Sequence, residues 1–181
     1  MNEKKTGNVV TVTGHRPKGL FGYDLMDPRY TAVRTAIKSI LVRENASAVW
    51  TGMALGTDML AALAVFDLQD EGRDIALYAA VPFKDHKDPR WPEQTRALYD
   101  AILYRADRTD LVSNGPYSPA ALERRNRHMV DRSDLVIAVY AGKPGGTANC
   151  VKYARRSRKP IWFVDPSDPG NPAYAPASDC A

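Results

Sequence analysis

Three loops in this sequence gather residue types suited to holding an anion. Thr13-Gly14-His15-Arg16-Pro17 sets two donor-capable side chains, His15 and Arg16, just past a glycine that lets the backbone turn tightly or approach a ligand. Thr51-Gly52-Met53-Ala54-Leu55-Gly56-Thr57-Asp58 places two glycines around a turn into a helix, with Thr57 at the expected N-cap. Free N–H groups at such a helix start suit a phosphate or carboxylate. Asp58 would repel an anion; it suits accepting from a ribose hydroxyl or a base, or favouring the helix dipole. Ala141-Gly142-Lys143-Pro144-Gly145-Gly146-Thr147 combines adjacent glycines, a lysine and a helix start expected to be capped by Thr147, which makes an anion cradle. The lysine precedes the glycine pair, so this is not a Walker loop, and the dinucleotide fingerprint is absent. Each loop also has a plainer reading, as a surface loop or a glycine-rich turn.

A fourth element is the helix from Pro119 to Arg132, with an apolar stripe of Leu122, Met129 and Val130. Helical spacing puts Arg125 and Asn126 on the inward side, where polar groups need partners. A ligand is one such partner; the sheet edge or the backbone is another. Arg124, Arg127 and Asp131 read as solvated. His15, His86 and His128 lack metal-ligand spacing and no Cys-x-x-Cys occurs, so no metal is expected, and no cofactor is called. The run Lys152, Arg155, Arg156, Arg158, Lys159 could touch nucleic acid, though such a run more often forms the wet face of a helix. Trp91, Tyr99 and Tyr104 read as core or interface.

The elements that must position these loops alternate along the chain. Val9 to Thr13 is a β-branched run that reads as a buried strand. A helix over Pro28 to Asn45, a strand over Ser47 to Thr51 and a helix over Asp58 to Glu71, ended by Gly72, follow. Then come strand Ile75 to Val81, helix Pro92 to Ala106, strand Asp110 to Ser113, the Pro119 helix, strand Leu135 to Tyr140, helix Ala148 to Arg158 and strand Ile161 to Val164. This alternation predicts an α/β fold: a single Rossmann-like domain whose mostly parallel sheet carries helices on both faces. Ligands of such sheets bind at the carboxyl ends of the strands, where all three loops fall. The domain is expected over 9–164, after an N-terminal extension of residues 1–8. The tail 165–181, with four prolines, is expected to be loose or to order only in an oligomer.

Composition bounds the function. The 181 residues suffice for one well-cored domain. A formal net charge of +4 fits an anionic small ligand and is too mild to argue nucleic acid. No apolar run approaches the roughly 20 residues of a membrane span. The start Met1-Asn2-Glu3-Lys4-Lys5 does not read as a secretory signal. Two cysteines, Cys150 and Cys180, point to no disulfide framework and to a cytoplasmic location.

The ordered set Thr13-Gly14-His15-Arg16-Pro17, Thr51-Gly52-x3-Gly56-x-Asp58, Val81-Pro82-Phe83, the Trp91 to Tyr99 stretch, Arg125-Asn126-x2-Met129-Val130-Asp131 and Gly145-Gly146-Thr147 resembles the YpsA-like branch of the SLOG superfamily. The likeness runs from about Val9 to Val164. It implies a Rossmann-like fold binding nucleotides or their derivatives, and by analogy a homodimer. In that superfamily, LOG-type enzymes cleave the N-glycosidic bond of nucleoside monophosphates, using an arginine in an Arg-Lys-x-x-Met helix and a glutamate in a Gly-Gly-x-Gly-Thr-x-x-Glu loop. Arg125 matches the arginine; the glutamate position falls on Cys150. A thiol does not readily replace a carboxylate in stabilising an oxocarbenium-like centre or activating water. Other members sense signalling nucleotides in phage defence, and DprA-like members bind single-stranded DNA.

The resemblance therefore implies a nucleotide-like ligand at Gly14, His15, Arg16, Gly52, Gly56, Asp58, Arg125, Asn126, Gly145, Gly146 and Thr147. The phosphate would lie on Gly145, Gly146 and Thr147 beside Arg125, and Asp58 would take a ribose hydroxyl. Two alternatives stand beside it: a nucleotide N-glycosidase with Asp58 or His15 as catalytic acid or base, and a single-stranded DNA-binding module.

Overall fold

A computed structural model describes residues 7–24 and 27–179; most of the N-terminal extension and Cys180 lie outside them. The strands are β1 (Asn8–Gly14), β2 (Ala46–Thr51), β3 (Ala76–Val81), β4 (Arg108–Leu111), β5 (Leu135–Val139), β6 (Ile161–Val164) and β7 (Ala173–Ala175). The helices are α1 (Pro28–Arg43), α2 (Thr57–Asp70), α3 (Glu93–Arg105), α4 (Pro119–Asp131) and α5 (Gly146–Arg156). They build one sheet in the order β4-β3-β2-β1-β5-β6-β7, parallel except for the β6–β7 pair. The chain steps outward from β1 to β4, then crosses back to place β5 on the other side of β1. The loops after β1 and β5 thus diverge, leaving a crevice at the carboxyl edge where such folds bind ligands.

The alternation within each strand decides what covers each face. In β5, Leu135, Ile137 and Val139 join a core with α1, α2 and α3, while Val136 and Ala138 join a second core with Val130 of α4 and Cys150, Val151 and Ala154 of α5. In β1, Val10 and Val12 face the first core. Thr11 faces the other side, where its hydroxyl hydrogen-bonds that of Ser133 at 2.6 Å. Both faces of the central strands are dry, which explains their nearly continuous apolar sequence.

Two sequence readings need correction. The fourth strand covers Arg108–Leu111, not Asp110–Ser113, pairing Tyr78 with Arg108 and Val81 with Leu111. The strand is charged because it is an exposed sheet edge, where charges discourage pairing with another chain.

The tail is also not uniformly loose. Residues 173–175 form β7, antiparallel to β6, and the Tyr174 ring lies 5.0 Å from that of Trp162. Trp162 also donates from Nε1 to Glu44 Oε1 at 2.8 Å and lies under the Arg43 guanidinium. Tyr174→Ala is expected to cost about 0.5–1.5 kcal/mol, the worth of an aromatic pair. A urea midpoint equal to that of the parent would show that β7 adds nothing to the fold.

Candidate ligand-binding site

The crevice is built around a buried ion pair. On α4 the buried stripe runs Ala121, Arg125, Met129, so a guanidinium occupies the middle of a core face. Arg125 is 6% exposed and donates from Nη1 to Asp58 Oδ2 at 2.9 Å. Asp58, 5% exposed at the start of α2, also accepts the Ala54 N–H at 3.1 Å. A Cβ on Gly52 would sit 1.3 Å from Arg125 Nη1, so only glycine lets the guanidinium reach the carboxylate. Arg125 Nε is buried with no partner among the described residues. An unmet buried donor on a charged group is costly, and an arriving acceptor relieves that cost.

His15 joins three loops. Its N–H donates to Val139 O at 3.3 Å, and its carbonyl accepts from Thr57 N at 3.3 Å and Thr57 Oγ1 at 3.1 Å. Its ring Nε2 accepts the Ala141 N–H at 3.1 Å, which puts the neutral ring's proton on Nδ1. Burial, then the Lys143 ammonium, pushes its pKa below the usual histidine value. Gly14 is glycine for space: a Cβ there would come within 2.4 Å of Thr57 Oγ1.

The two threonine caps expected from the sequence are corrected. Gly56 (φ +90°) caps α2, and Thr57, the first helical residue, turns its hydroxyl to His15. Gly145 (φ +141°) caps α5, which starts two residues earlier than expected, with Thr147 in its first turn. No side chain caps α5. A Cβ on Gly145 or Gly146 would meet nothing within 4 Å, so this helix start opens into the crevice.

The resulting cleft, about 180 Å³, is lined by Thr13, Gly14, His15, Arg16, Ala54, Asp58, Leu122, Arg125, Asn126, Gly146 and Thr147. Most of the expected site residues are thus together; Gly52, Gly56 and Gly145 do not line the cleft, the first two shaping it through Arg125 and the His15 loop and Gly145 capping α5. A neighbouring cavity of about 280 Å³ shares Leu122, Asn126 and Gly146 with it. Together they approach the few hundred Å³ of an ordinary ligand site. A larger groove, about 700 Å³, lies between α1 and residues 169–172 and includes none of Asp58, His86 and Arg125 in its lining.

Each acid–base candidate is engaged at one atom or buried. Asp58 holds Arg125 and the Ala54 amide. His15 Nε2 is occupied by Ala141. Cys150 is 1% exposed beside a hydrogen bond from Thr13, and burial pushes its thiol up to about 11. Among the described residues no group of three or more His, Cys, Asp or Glu could hold a metal. None of their helices is long and apolar enough to cross a membrane.

Sequence reasoning missed His86, in the loop after β3. It is 6% exposed among Phe83, Trp91 and Tyr99, and its Nδ1 has no partner among the described residues. Spacing gave no signal for it, because the cations that bear on it, Arg125 and Arg16, come from distant segments. Burial, then Arg125 and Arg16, pushes its pKa down to about 3. In the unfolded chain it returns to about 6.5. Between those values the unfolded chain binds a proton that the folded one refuses. Stability is therefore full above pH 6.5 and declines as pH falls toward 3, by up to about 1.4 kcal/mol per pH unit. His15 and His128, both lowered, add the same sign. The urea midpoint is expected to drop between pH 7 and pH 5, and His86→Leu to flatten that drop; an unchanged slope would remove His86 as its main cause.

A family model described as the YspA SLOG family (YpsA) matches residues 10–169. The chain belongs to the YpsA SLOG family. It is 33% identical over 143 residues to the SPbeta prophage-derived protein YoqJ of Bacillus subtilis, covering 72% of this chain and 83% of that one. It is 28% identical over 171 residues to the UPF0398 protein YpsA of the same organism, covering 88% and 93%. Among solved structures, DNA processing protein A from Helicobacter pylori, described with its single-stranded DNA binding mode, matches with a TM-score of 0.62 at 17% identity. That match covers 88% of this chain and 66% of the other. The molybdenum cofactor carrier protein of Chlamydomonas reinhardtii matches with a TM-score of 0.53 at 14% identity, covering 87% and 76%. At these identities the structural matches establish the Rossmann-like α/β fold alone.

Proposed function

We propose that this family member binds a nucleotide-like, phosphate-bearing small molecule in the cleft between β1, α4 and the start of α5. The observation that carries the reading is Arg125, buried in the cleft wall with Nε unpartnered beside the uncapped N-terminus of α5. A helix start supplies aligned N–H donors and a positive dipole end, and the guanidinium supplies charge at low dielectric. Arg16 and Lys143 add exposed cations at the rim, and Asp58 is already balanced by Arg125. Asn126, half-buried in the wall, has a side chain free to hydrogen-bond a sugar or base among the described residues.

Binding without turnover is the better-supported form. The LOG-type glutamate position holds a buried, protonated thiol, and Asp58 Oδ2 and His15 Nε2 are already taken by Arg125 and the Ala141 amide. The test is to incubate the protein with each nucleotide that raises its melting temperature and to separate the products by chromatography. Intact nucleotide is expected; free base would establish the N-glycosidase reading instead.

DNA binding is the second reading, favoured by the likeness to the Helicobacter protein described with single-stranded DNA. Against it, part of the basic run at the end of α5 already has partners within the chain. Arg155 lies over Phe163 and Arg156 over Tyr153, and Lys159 donates to Ser133 O at 2.6 Å. This reading requires oligonucleotide affinity that falls steeply with salt.

A further inference from the structure

Among the described residues, three buried side-chain atoms have no hydrogen-bond partner: Arg125 Nε, His86 Nδ1 and Arg96 Nε. The first two belong to residues that are each 6% exposed. They come from different elements at one edge of the sheet. The loop carrying His86 leaves the carboxyl end of β3, next to the loop after β2 that holds Gly52 and leads to Asp58 of α2. The charges that lower the His86 pKa, after burial, are those of Arg125 and Arg16. Asp58, the acid of this region, is taken by Arg125 Nη1. Arg16 is exposed, and its guanidinium makes no hydrogen bond or ion pair among the described residues.

Arg125 and Arg16 thus bear on a neutral imidazole, and the one carboxylate bound to Arg125, Asp58, is shared with the Ala54 amide. The imidazole is held rigidly for a buried group. Phe83 and Trp91 stand nearly perpendicular to it at 5.2 and 5.7 Å, and Tyr99 lies at 6.0 Å. Aromatic walls fix its orientation without satisfying its nitrogen. Buried polar atoms in folded proteins nearly always have partners, so an exception inside a cationic cluster points to a missing one.

We propose that the ligand site continues from the α5 N-terminus across Arg125 to His86, where a second anionic group of the ligand sits between Arg16, Arg125 and His86. This rests on the phosphate-site reading above and narrows its ligand class. The ligand carries two phosphoryl-type groups, as in a nucleoside diphosphate or a molecule bridged by a diphosphate, and a monophosphate fills only half the site. The arriving anion offsets the two guanidinium charges. It also gives the imidazole reason to take a proton and donate to it.

Inorganic phosphate and pyrophosphate are the probes. Both are titrated into the full-length chain while NMR follows the amides of Gly146 and Thr147 and the ring of His86, one of three histidines. Pyrophosphate is expected to bind about tenfold or more tighter than phosphate, to shift the His86 ring and to raise its titration midpoint, as a gained charge-assisted contact requires. Phosphate is expected to move Gly146 and Thr147 but leave His86 in place. His86→Gln should bring the two affinities within about threefold, the loss of one hydrogen bond to an anion. The His86 ring shifts in the unaltered protein decide the matter even if that variant folds poorly. If both probes move Gly146 equally and neither moves His86, the extension is wrong and the phosphate site stands. If neither probe moves Gly146, the phosphate site itself fails and the extension with it.

Discussion

Gly146→Asp is expected to weaken binding of any phosphate-bearing ligand by at least about 100-fold, the worth of one or two hydrogen bonds to a charged group, while leaving the fold intact. The two effects separate because of where Gly146 stands. It is the first residue of α5, and a Cβ there meets nothing within 4 Å, so the side chain enters open space. A carboxylate in the first helical turn favours the dipole by roughly 0.3–1 kcal/mol, so the melting temperature should hold or rise slightly. The same carboxylate occupies the anion's place and repels it. Isothermal calorimetry measures the first effect and thermal unfolding the second. Unchanged affinity would move the ligand off the α5 N-terminus.

Asp58→Ala is expected to be the most damaging single change to stability in the cleft. It leaves the Arg125 guanidinium buried and uncompensated, which costs about 3–5 kcal/mol. For a chain of this length that lowers the melting temperature by on the order of 10 °C. The Ala54 N–H loses its acceptor as well. Two further observations would tie the loss to charge. Pairing Asp58→Ala with Arg125→Met should recover most of the stability, because a well-packed apolar pair is often no worse than a buried ion pair. Phosphate should stabilise Asp58→Ala more than it stabilises the parent, because the ligand would then be Arg125's only anion. If Asp58→Ala and the double variant unfold at the same temperature, the pair is not what holds this region.

The sequence made the fold legible where apolar runs were long. The five buried residues of β5 and the β-branched run of β1 could be little other than central strands. The site was legible through topology: once strands and helices alternate, three unusual loops must share the carboxyl edge. Arg125 was visible because helical spacing put a charge amid apolar residues. What stayed hidden depended on contacts between distant segments. Arg125 and Asp58 are 67 positions apart, and nothing local announces their pairing. Thr57 looks like a cap, but its hydroxyl is drawn to His15, and glycines with positive φ take the cap positions of α2 and α5. β4 was misplaced because an edge strand need not be apolar, and β7 because three residues among prolines carry no periodicity. His86 gave no signal because its two cations, Arg125 and Arg16, are brought to it only by folding.

The central claim is that the cleft under α5 holds the phosphate of a nucleotide-like ligand. The most direct measurement compares melting temperatures of the parent and of Gly146→Asp across nucleoside mono-, di- and triphosphates and diphosphate-bridged dinucleotides. A ligand present at 100 times its dissociation constant stabilises the native state by about 2.7 kcal/mol, a shift of several degrees. The account requires at least one nucleotide to produce that shift in the parent and not in Gly146→Asp. Equal shifts in both proteins, or none for any nucleotide, would contradict it.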